Sequence, residues 1–491
     1  MTALVILKGS TLFTITRLVQ RALGLISLVV LARILAPEDF GLVALASIFL
    51  VLSTDLSSLG SEPYLLQKTS VEDVDLHTAW SVSILAKFSL FALLVIASPA
   101  LASILNESRL ALIIPIASSG LLIRAFANPA VVLLKRKFLY KKIFVMGVLT
   151  KFISVTVVIV LAVNTRSFWA LIVGDLVGAV VSTILSYVFV SARIGLSLKN
   201  WASQWGYVRW VLPQTLLGSL RGQLDKFLLG RVLPAEMLGG YHVSRSLIDV
   251  PAVNLLGPLS EPLLASFAQV RDSGDWMRRQ FRVAFLGLYS LVFPLIAIFN
   301  IFSDEIVQVV FGAKWAAFAP ITAALSWSFV VWAGGNVLTK YCLATSRTRF
   351  LFFYTCLMLT TMTIVLLSVG AGDLVGLVYA RVVSDLIVFS GVFTYVSMKD
   401  RVNMPRLLAL LCIPLASTIL STGFMMSFDS VGAPTSVVSL IVRVSLLCGV
   451  YVLCLIAIFQ VLKKYVPECE FYVKLAQSVV SGCAAAVKEK F

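Results

Sequence analysis

The chemistry in this 491-residue chain must be sought in charged side chains that stand inside apolar helical segments. Ten basic residues do so: Arg17, Arg21, Lys87, Arg124, Lys151, Arg221, Lys226, Arg245, Arg381 and Arg443. Six acids accompany them: Asp55, Asp175, Asp225, Asp249, Glu261 and Asp385. A charge at the centre of a lipid-crossing helix costs about 2.5–3.5 kcal/mol, so each needs a hydrated cavity, a counter-charge or a route to the headgroups. Lys87, Lys151 and Arg443 lie toward segment ends and have the third option through their long side chains. Arg221/Asp225, Arg245/Asp249 and Arg381/Asp385 stand at i, i+4, which puts both groups on one helix face. Arginine before aspartate is the poorer order for that spacing, so partners on other helices compete with the intrahelical reading. Arg17 and Arg21 share a face with Gly24 and have no acid in their own segment. Guanidinium groups pair bidentately with phosphate. Arg17, Arg21, Arg124, Arg221, Lys226 and Arg245 are therefore candidates for a cationic cavity that binds an anionic, phosphate-bearing substrate. Asp55, Asp225, Asp249, Glu261, Arg381 and Asp385 are candidates for gating or ion coupling. The competing reading is a structural network in which Asp55, Asp175 or Glu261 absorbs the arginines.

Bond-making chemistry finds no support. Two histidines, His77 and His242, are too few for a His-rich metal site. No phosphate-cradling G-x-x-x-x-G-K-[ST] loop and no G-x-S-x-G nucleophile elbow occurs. All seven cysteines follow Tyr341, none forms C-x-x-C, and most sit in apolar runs as buried thiols would. Asp73-Val-Asp75 matches a D-x-D pattern, but its short loop has no room for a nucleotide-sugar domain. No catalytic residue, metal, cofactor or nucleic-acid site is assigned.

Positioning the buried charges falls to long helices. The chain is 59% hydrophobic and 13% charged, against about 25% charged in soluble domains, so it reads as an all-α polytopic membrane protein. Fourteen apolar segments reach spanning length: 10–33, 40–61, 78–104, 110–134, 143–163, 167–190, 211–230, 241–269, 283–302, 317–339, 350–370, 374–398, 407–427 and 436–462. The seventh and eighth are the most polar, and Pro251, Pro258 and Pro262 make the eighth a candidate for a bend. Lys and Arg number 19 in the even-numbered loops and 5 in the odd ones, which predicts both termini on the cytoplasmic side. The densest group, Lys135-Arg136-Lys137 with Lys141 and Lys142, reads first as an anchor on anionic lipid. Residues 191–210, with Trp201, Trp205, Trp210, Arg193, Lys199 and Arg209, read as an interfacial linker. The tail places Phe471, Leu475 and Val479 on one face of a surface helix.

A repeat organises these spans. Arg33, Glu38 and Gly41 recur as Arg231, Glu236 and Gly239, each 198 positions on. The expected architecture is two pseudo-symmetric six-helix lobes, 1–190 and 211–398, in parallel orientation about an axis along the membrane normal. The linker 191–210 joins them, two extra spans cover 399–462, and an amphipathic cytoplasmic tail covers 463–491.

The segment from Leu31 to Ala46, with Leu133–Phe138, Gly239–Arg245 and Val310–Trp315, resembles the polysaccharide transporter family. That family holds the Wzx-type flippases of the multidrug/oligosaccharidyl-lipid/polysaccharide exporter superfamily, and the similarity is greatest to the branch for colanic, teichuronic and related exopolysaccharides. The resemblance implies a two-lobed transporter of the bacterial inner membrane. Its expected substrate is an undecaprenyl-pyrophosphate-linked oligosaccharide, moved from the cytoplasmic to the periplasmic leaflet by alternating access. Membrane lipids and the polysaccharide polymerase and export machinery are the implied partners, and some relatives draw on H+ or Na+ gradients. The alternative is an ion-coupled small-molecule exporter, for which an organic cation would call for a cavity of negative character.

Overall fold

The computed structural model describes residues 3–58, 61–192, 194–368, 373–428, 437–474 and 477–478. Arg193 of the expected linker, and Leu475 and Val479 of the expected tail face, lie outside the described residues. Contacts divide the chain into two compact units that meet in sequence at Val243/Ser244.

The first unit holds α1 (Ala3–Ile34), α2 (Pro37–Ser58), α3 (Ser61–Gln67), α4 (Asp73–Ile104), α5 (Leu110–Ala125), α6 (Val131–Arg136), α7 (Tyr140–Thr165), α8 (Trp169–Phe189), α9 (Trp201–Val232) and the start of α10 (Ala235–Pro251). Helix α1 packs along α7, α2 along α9, and α5 lies between α4 and α8. Helix α4 starts earlier than the hydropathy pattern predicts, because Asp75 caps the first turn by accepting the Glu72 amide at 3.1 Å. Helix α5 ends at Ala125 because Pro129 disfavours helical backbone at Asn128. The buried Asn128 amide donates to Ser186 Oγ at 2.9 Å instead. Trp201–Val232 is one helix, so the predicted interfacial stretch after residue 200 runs without a break into the predicted seventh span.

The sequence repeat has a structural counterpart at the first turn of each copy. Helix α1 ends at Ile34 and α9 at Val232; α2 begins at Pro37 and α10 at Ala235, all at the offset of 198. Leu35 N–H donates to Leu31 O and Leu233 N–H to Leu229 O, each at 2.8 Å. The two turns pack reciprocally. A side chain on Gly41 would strike the Ala235 carbonyl, and one on Gly239 would strike the Pro37 carbonyl. Glycine is needed here for the close approach of backbone to backbone.

The second unit completes α10 and continues through a π turn (Ala252–Leu256), α11 (Gly257–Ser260) and α12 (Pro262–Gln269). The three prolines thus break the predicted eighth span into pieces, since each removes a ladder donor. Then follow α13 (Gly274–Ile301), α14 (Ser303–Phe311), a 3-10 turn (Ala313–Phe318), α15 (Ala319–Ser326), α16 (Ser328–Ala344), α17 (Thr348–Ser368), α18 (Leu374–Lys399), α19 (Met404–Phe428) and α20 (Val437–Leu462). Helix α13 is the hub, against α15, α16 and α19. Its aromatic side chains Phe281, Phe285 and Tyr289 are fully buried.

Eleven helical stretches among the described residues are long and apolar enough to cross a membrane. The three other segments marked in the sequence are the 16-residue α5 and the polar α9 and α10–α12. The most apolar stretch of α4 is only 11% buried within the protein. Its outer faces are as apolar as its inner ones, which suits a helix solvated by lipid.

Candidate functional site

The site grows from the end of α5. Arg124 stands in its last turn, next to the carbonyls that the helix leaves unpaired. Lys87, at the middle of α4, donates to Arg124 O at 3.1 Å and to Ser83 Oγ at 2.8 Å. A cation is favoured there by the negative end of the helix dipole. The Arg124 guanidinium itself turns to α8, where one nitrogen meets both oxygens of Asp175 at 2.9 and 3.0 Å. Gly120 makes the room: a Cβ there would lie 2.9 Å from Arg124 Nη1.

Three cavities share Arg124 as a wall. One, of about 440 Å³, is mostly apolar and also reaches Asp55 and Asp175. A second, of about 480 Å³, is lined by Gln20 of α1, Lys135 of α6, Thr150, Lys151 and Ser154 of α7, and Asp175. A third, of about 250 Å³, is lined by Glu62, Trp80, Ser83, Lys87, Asn128 and Lys135. Lys135 is ion-paired with Glu62. Its neighbour Arg136 ties α6 to the end of α3, donating to the carbonyls of Leu65, Lys68 and Thr69 at 2.7, 2.6 and 2.9 Å. At the same end of α3, Lys68 donates to the buried Asp75 at 2.6 Å, and that hydrogen bond holds its ammonium above the ordinary lysine range.

The walls of the second and third cavities carry four cations, Lys87, Arg124, Lys135 and Lys151, and two carboxylates, Glu62 and Asp175. Lys87 and Lys151 have no carboxylate partner among the described residues. The polar chambers thus keep an excess of two positive charges, with hydroxyl and amide groups between them. Phosphate oxygens match that donor set.

Of the residues singled out in the sequence, Arg124 is at the centre of this cluster and Asp55 lines its apolar chamber, accepting from the Ser219 hydroxyl of α9. Arg17 is exposed and lies over the Phe13 ring at 4.5 Å. To the walls of these three chambers α1 contributes, among the described residues, Gln20 and neither Arg17 nor Arg21. Arg221 is exposed on α9, Lys226 donates to Gln223 Oε1 at 3.1 Å, and Asp225 is buried under the hydroxyl of Tyr241 at 2.7 Å. The Arg221/Asp225 spacing therefore does not become an ion pair, because Asp225 turns to α10. In the second unit Arg245 meets Asp249 at 3.7 Å and Arg381 meets Asp385 at 3.9 Å. Glu261 meets Lys340 at 3.4 Å.

Lys87, Lys135 and Lys151 were not among the residues proposed from sequence. The first two read as a headgroup-seeking chain and a lipid anchor, and Lys151 as a second headgroup-seeker. The usable signal for Lys87 and Lys151 is their place at the middle of their helices once the caps are located.

The family model described as "Polysaccharide biosynthesis protein" matches residues 30–320. The lipopolysaccharide biosynthesis protein WzxC of Escherichia coli (strain K12) is 25% identical over 353 residues, 70% of this chain and 70% of WzxC. The fold is similar to that of the lipid II flippase MurJ in its inward closed conformation, with a TM-score of 0.74 and 13% identity over 92% of this chain and 99% of MurJ. It is also similar to an inward-facing multidrug resistance transporter of the MATE family, with a TM-score of 0.59 and 13% identity over 80% of this chain and 95% of that one. The chain belongs to the polysaccharide biosynthesis protein family, as a multi-pass membrane protein of the Wzx type.

Proposed function

We propose that the protein flips an undecaprenyl-pyrophosphate-linked oligosaccharide from the cytoplasmic to the periplasmic leaflet of the bacterial inner membrane, by alternating access, during cell-surface polysaccharide synthesis. The observation that carries this reading is the uncompensated positive charge of the two polar chambers that meet at Arg124. In it, Lys87, Arg124 and Lys151 hold the pyrophosphate, with Arg17 and Arg21 of α1 adding to the field that draws the anion in. Asp175 competes with the phosphate for Arg124 and so favours release. The polyprenyl tail stays in lipid, where it has no desolvation to undergo. Asp55, in the apolar chamber beside Arg124, is the group best placed to couple an H+ or Na+ gradient. Fourteen crossings with both termini cytoplasmic accommodate the basic loops. An exporter of organic cations is disfavoured by the same surplus of positive charge.

The test uses the protein in liposomes that carry a fluorescent lipid-linked oligosaccharide in one leaflet. Quencher-accessible signal should cross only in protein-containing vesicles, and Arg124→Gln should slow it. No crossing under any imposed ion gradient refutes the flippase reading.

A further inference from the structure

Another cavity lined by cations lies in the second unit, at the turn between α16 and α17, apart from the cluster around Arg124. It encloses about 340 Å³ and is lined by Ser346, Arg347, Thr348, Arg349, Tyr395 and Lys399, among others, with no acid in its wall. That volume is at the small end of ligand pockets, which run from about 300 to 1,000 Å³. The nearest carboxylate, Asp400, is already occupied. Arg347 donates to its two oxygens at 2.6 and 2.7 Å, and the Tyr341 hydroxyl donates to one of them at 2.9 Å. Arg347 is thereby fixed and neutralised, and its hydrogen bond to Asp400 holds its pKa above the ordinary arginine value. Arg349 and Lys399 have no ion pair among the described residues. Phe350 stacks on Tyr395 with centroids 5.8 Å apart and planes at 16°, and the Lys399 ammonium lies 5.8 Å from the Tyr395 ring.

We infer that this pocket binds the phosphate of an anionic glycerophospholipid. Arg349 and Lys399 pair with the phosphate oxygens, and the hydroxyls of Ser346 and Thr348 complete the donor set. The stacked Phe350 and Tyr395 rings form the floor on which the glycerol backbone rests. A lipid is favoured over free phosphate by what surrounds the pocket. Phe352 and Phe353 on α17 are 51% and 68% exposed, and Met398 beside Lys399 is 72% exposed. On spanning helices such side chains face acyl chains, so a headgroup in the pocket has its tails where lipid already is. Basic pockets between spanning helices are suited to anionic headgroups in this way. The turn lies on the side that the basic loops mark as cytoplasmic, where positive charge meets an anionic leaflet. The site is independent of the transport reading and asks nothing of Arg124.

The experiment is native mass spectrometry of the full-length chain in detergent, titrated with phosphatidylglycerol, phosphatidylcholine or inorganic phosphate. Phosphatidylglycerol should bind well before phosphatidylcholine, and Arg349→Gln with Lys399→Gln should weaken it about tenfold, as expected for two lost ion pairs at exposed side chains. Both side chains are exposed, so thermal unfolding of the double variant should match wild type, and each single variant should give an intermediate loss. Equal binding of the two lipids, or unchanged phosphatidylglycerol binding in the double variant, overturns the site. Saturable binding of inorganic phosphate that displaces phosphatidylglycerol overturns the lipid assignment and leaves an anion site.

Discussion

Around Arg124 in the first unit, cations outnumber the carboxylates within reach, whereas Arg282, Arg406, Arg347 and Arg443 of the second unit each meet a carboxylate. Arg282 and Arg406 meet at the fully buried Glu468, at 2.6 and 2.9 Å. Arg347 has Asp400 and Arg443 has Glu305. The two regions draw on the same residue types, yet the matched charges hold helices together while the unmatched ones keep open cavities. Glu468 fastens the short helix over 467–474 to α13 and α19, and Tyr472 fits where Gly287 has no side chain, donating to Val283 O at 2.7 Å. A neutralised network gains nothing from an added anion; a surplus of cations does. The comparison therefore assigns ligand binding to the cluster at Arg124 and stability to these matched pairs, and substitutions can break it.

The largest effect should come from Glu468→Ala, which strands two arginines. Removing one partner of a buried ion pair costs about 3–5 kcal/mol, read as a lower denaturation temperature of the purified protein. Flipping per folded molecule should stay near wild type; a selective loss of flipping would move this network into the transport machinery. Acid should act in the same direction. Burial opposes the Glu468 charge, but the hydrogen bonds from Arg282 and Arg406 outweigh it and hold the carboxyl below the ordinary glutamate range. A lowered folded-state pKa means the stabilisation is complete above the unfolded value of about 4.3 and is lost as pH falls through the folded value. Proteolysis of the tail should accelerate only in that acid window.

Next in size is Arg124→Gln. Losing a charged hydrogen-bond donor to phosphate is worth roughly 1.5–3 kcal/mol, or about 10- to 100-fold in flipping rate. A sharper form exchanges the pair, as Arg124→Asp with Asp175→Arg, beside Arg347→Asp with Asp400→Arg. If the comparison holds, the second exchange recovers most of the stability that Arg347→Asp alone removes. The first keeps the fold but not the flipping. Recovery of transport by the Arg124/Asp175 exchange would make that pair a structural bridge.

Gly41→Ala and Gly239→Ala come third. Each new methyl meets a backbone carbonyl of the other turn, and overpacking of this kind costs about 1–3 kcal/mol. The two costs should be alike, because the turns are related by the repeat; a large difference in unfolding temperature between the variants would show that the contact is not reciprocal.

Much of the fold was legible because lipid demands it: a span must be long and apolar, and eleven helical stretches among the described residues are. The repeated turn was legible because close backbone approach leaves glycine little alternative. The site was only partly so. Arg124 stood out as a charge without a neighbour in its helix, but its position at a helix end depended on Asn128 and Pro129. Lys87 and Lys151 were hidden by an argument from chain length alone. A lysine can reach the headgroups from near a helix end, but the Asp75 cap moves the start of α4 back and leaves Lys87 at its middle. Asp225 shows the opposite failure, since i, i+4 spacing says what can meet, and Tyr241 of another helix met it first.

The smallest effect is expected from Arg17→Ala with Arg21→Ala. Arg17 is exposed over Phe13, and neither arginine lines the chambers, so their part is to raise the potential near the entrance. An exposed cation contributes about 0.2–1 kcal/mol and is screened by salt. The double variant should therefore slow flipping only a few-fold, and the deficit should shrink as ionic strength rises, whereas that of Arg124→Gln should persist. The salt dependence separates a steering field from a contact. A loss as large as that of Arg124→Gln, and insensitive to salt, would place α1 in direct contact with the phosphate and move the centre of the site from α5 to α1.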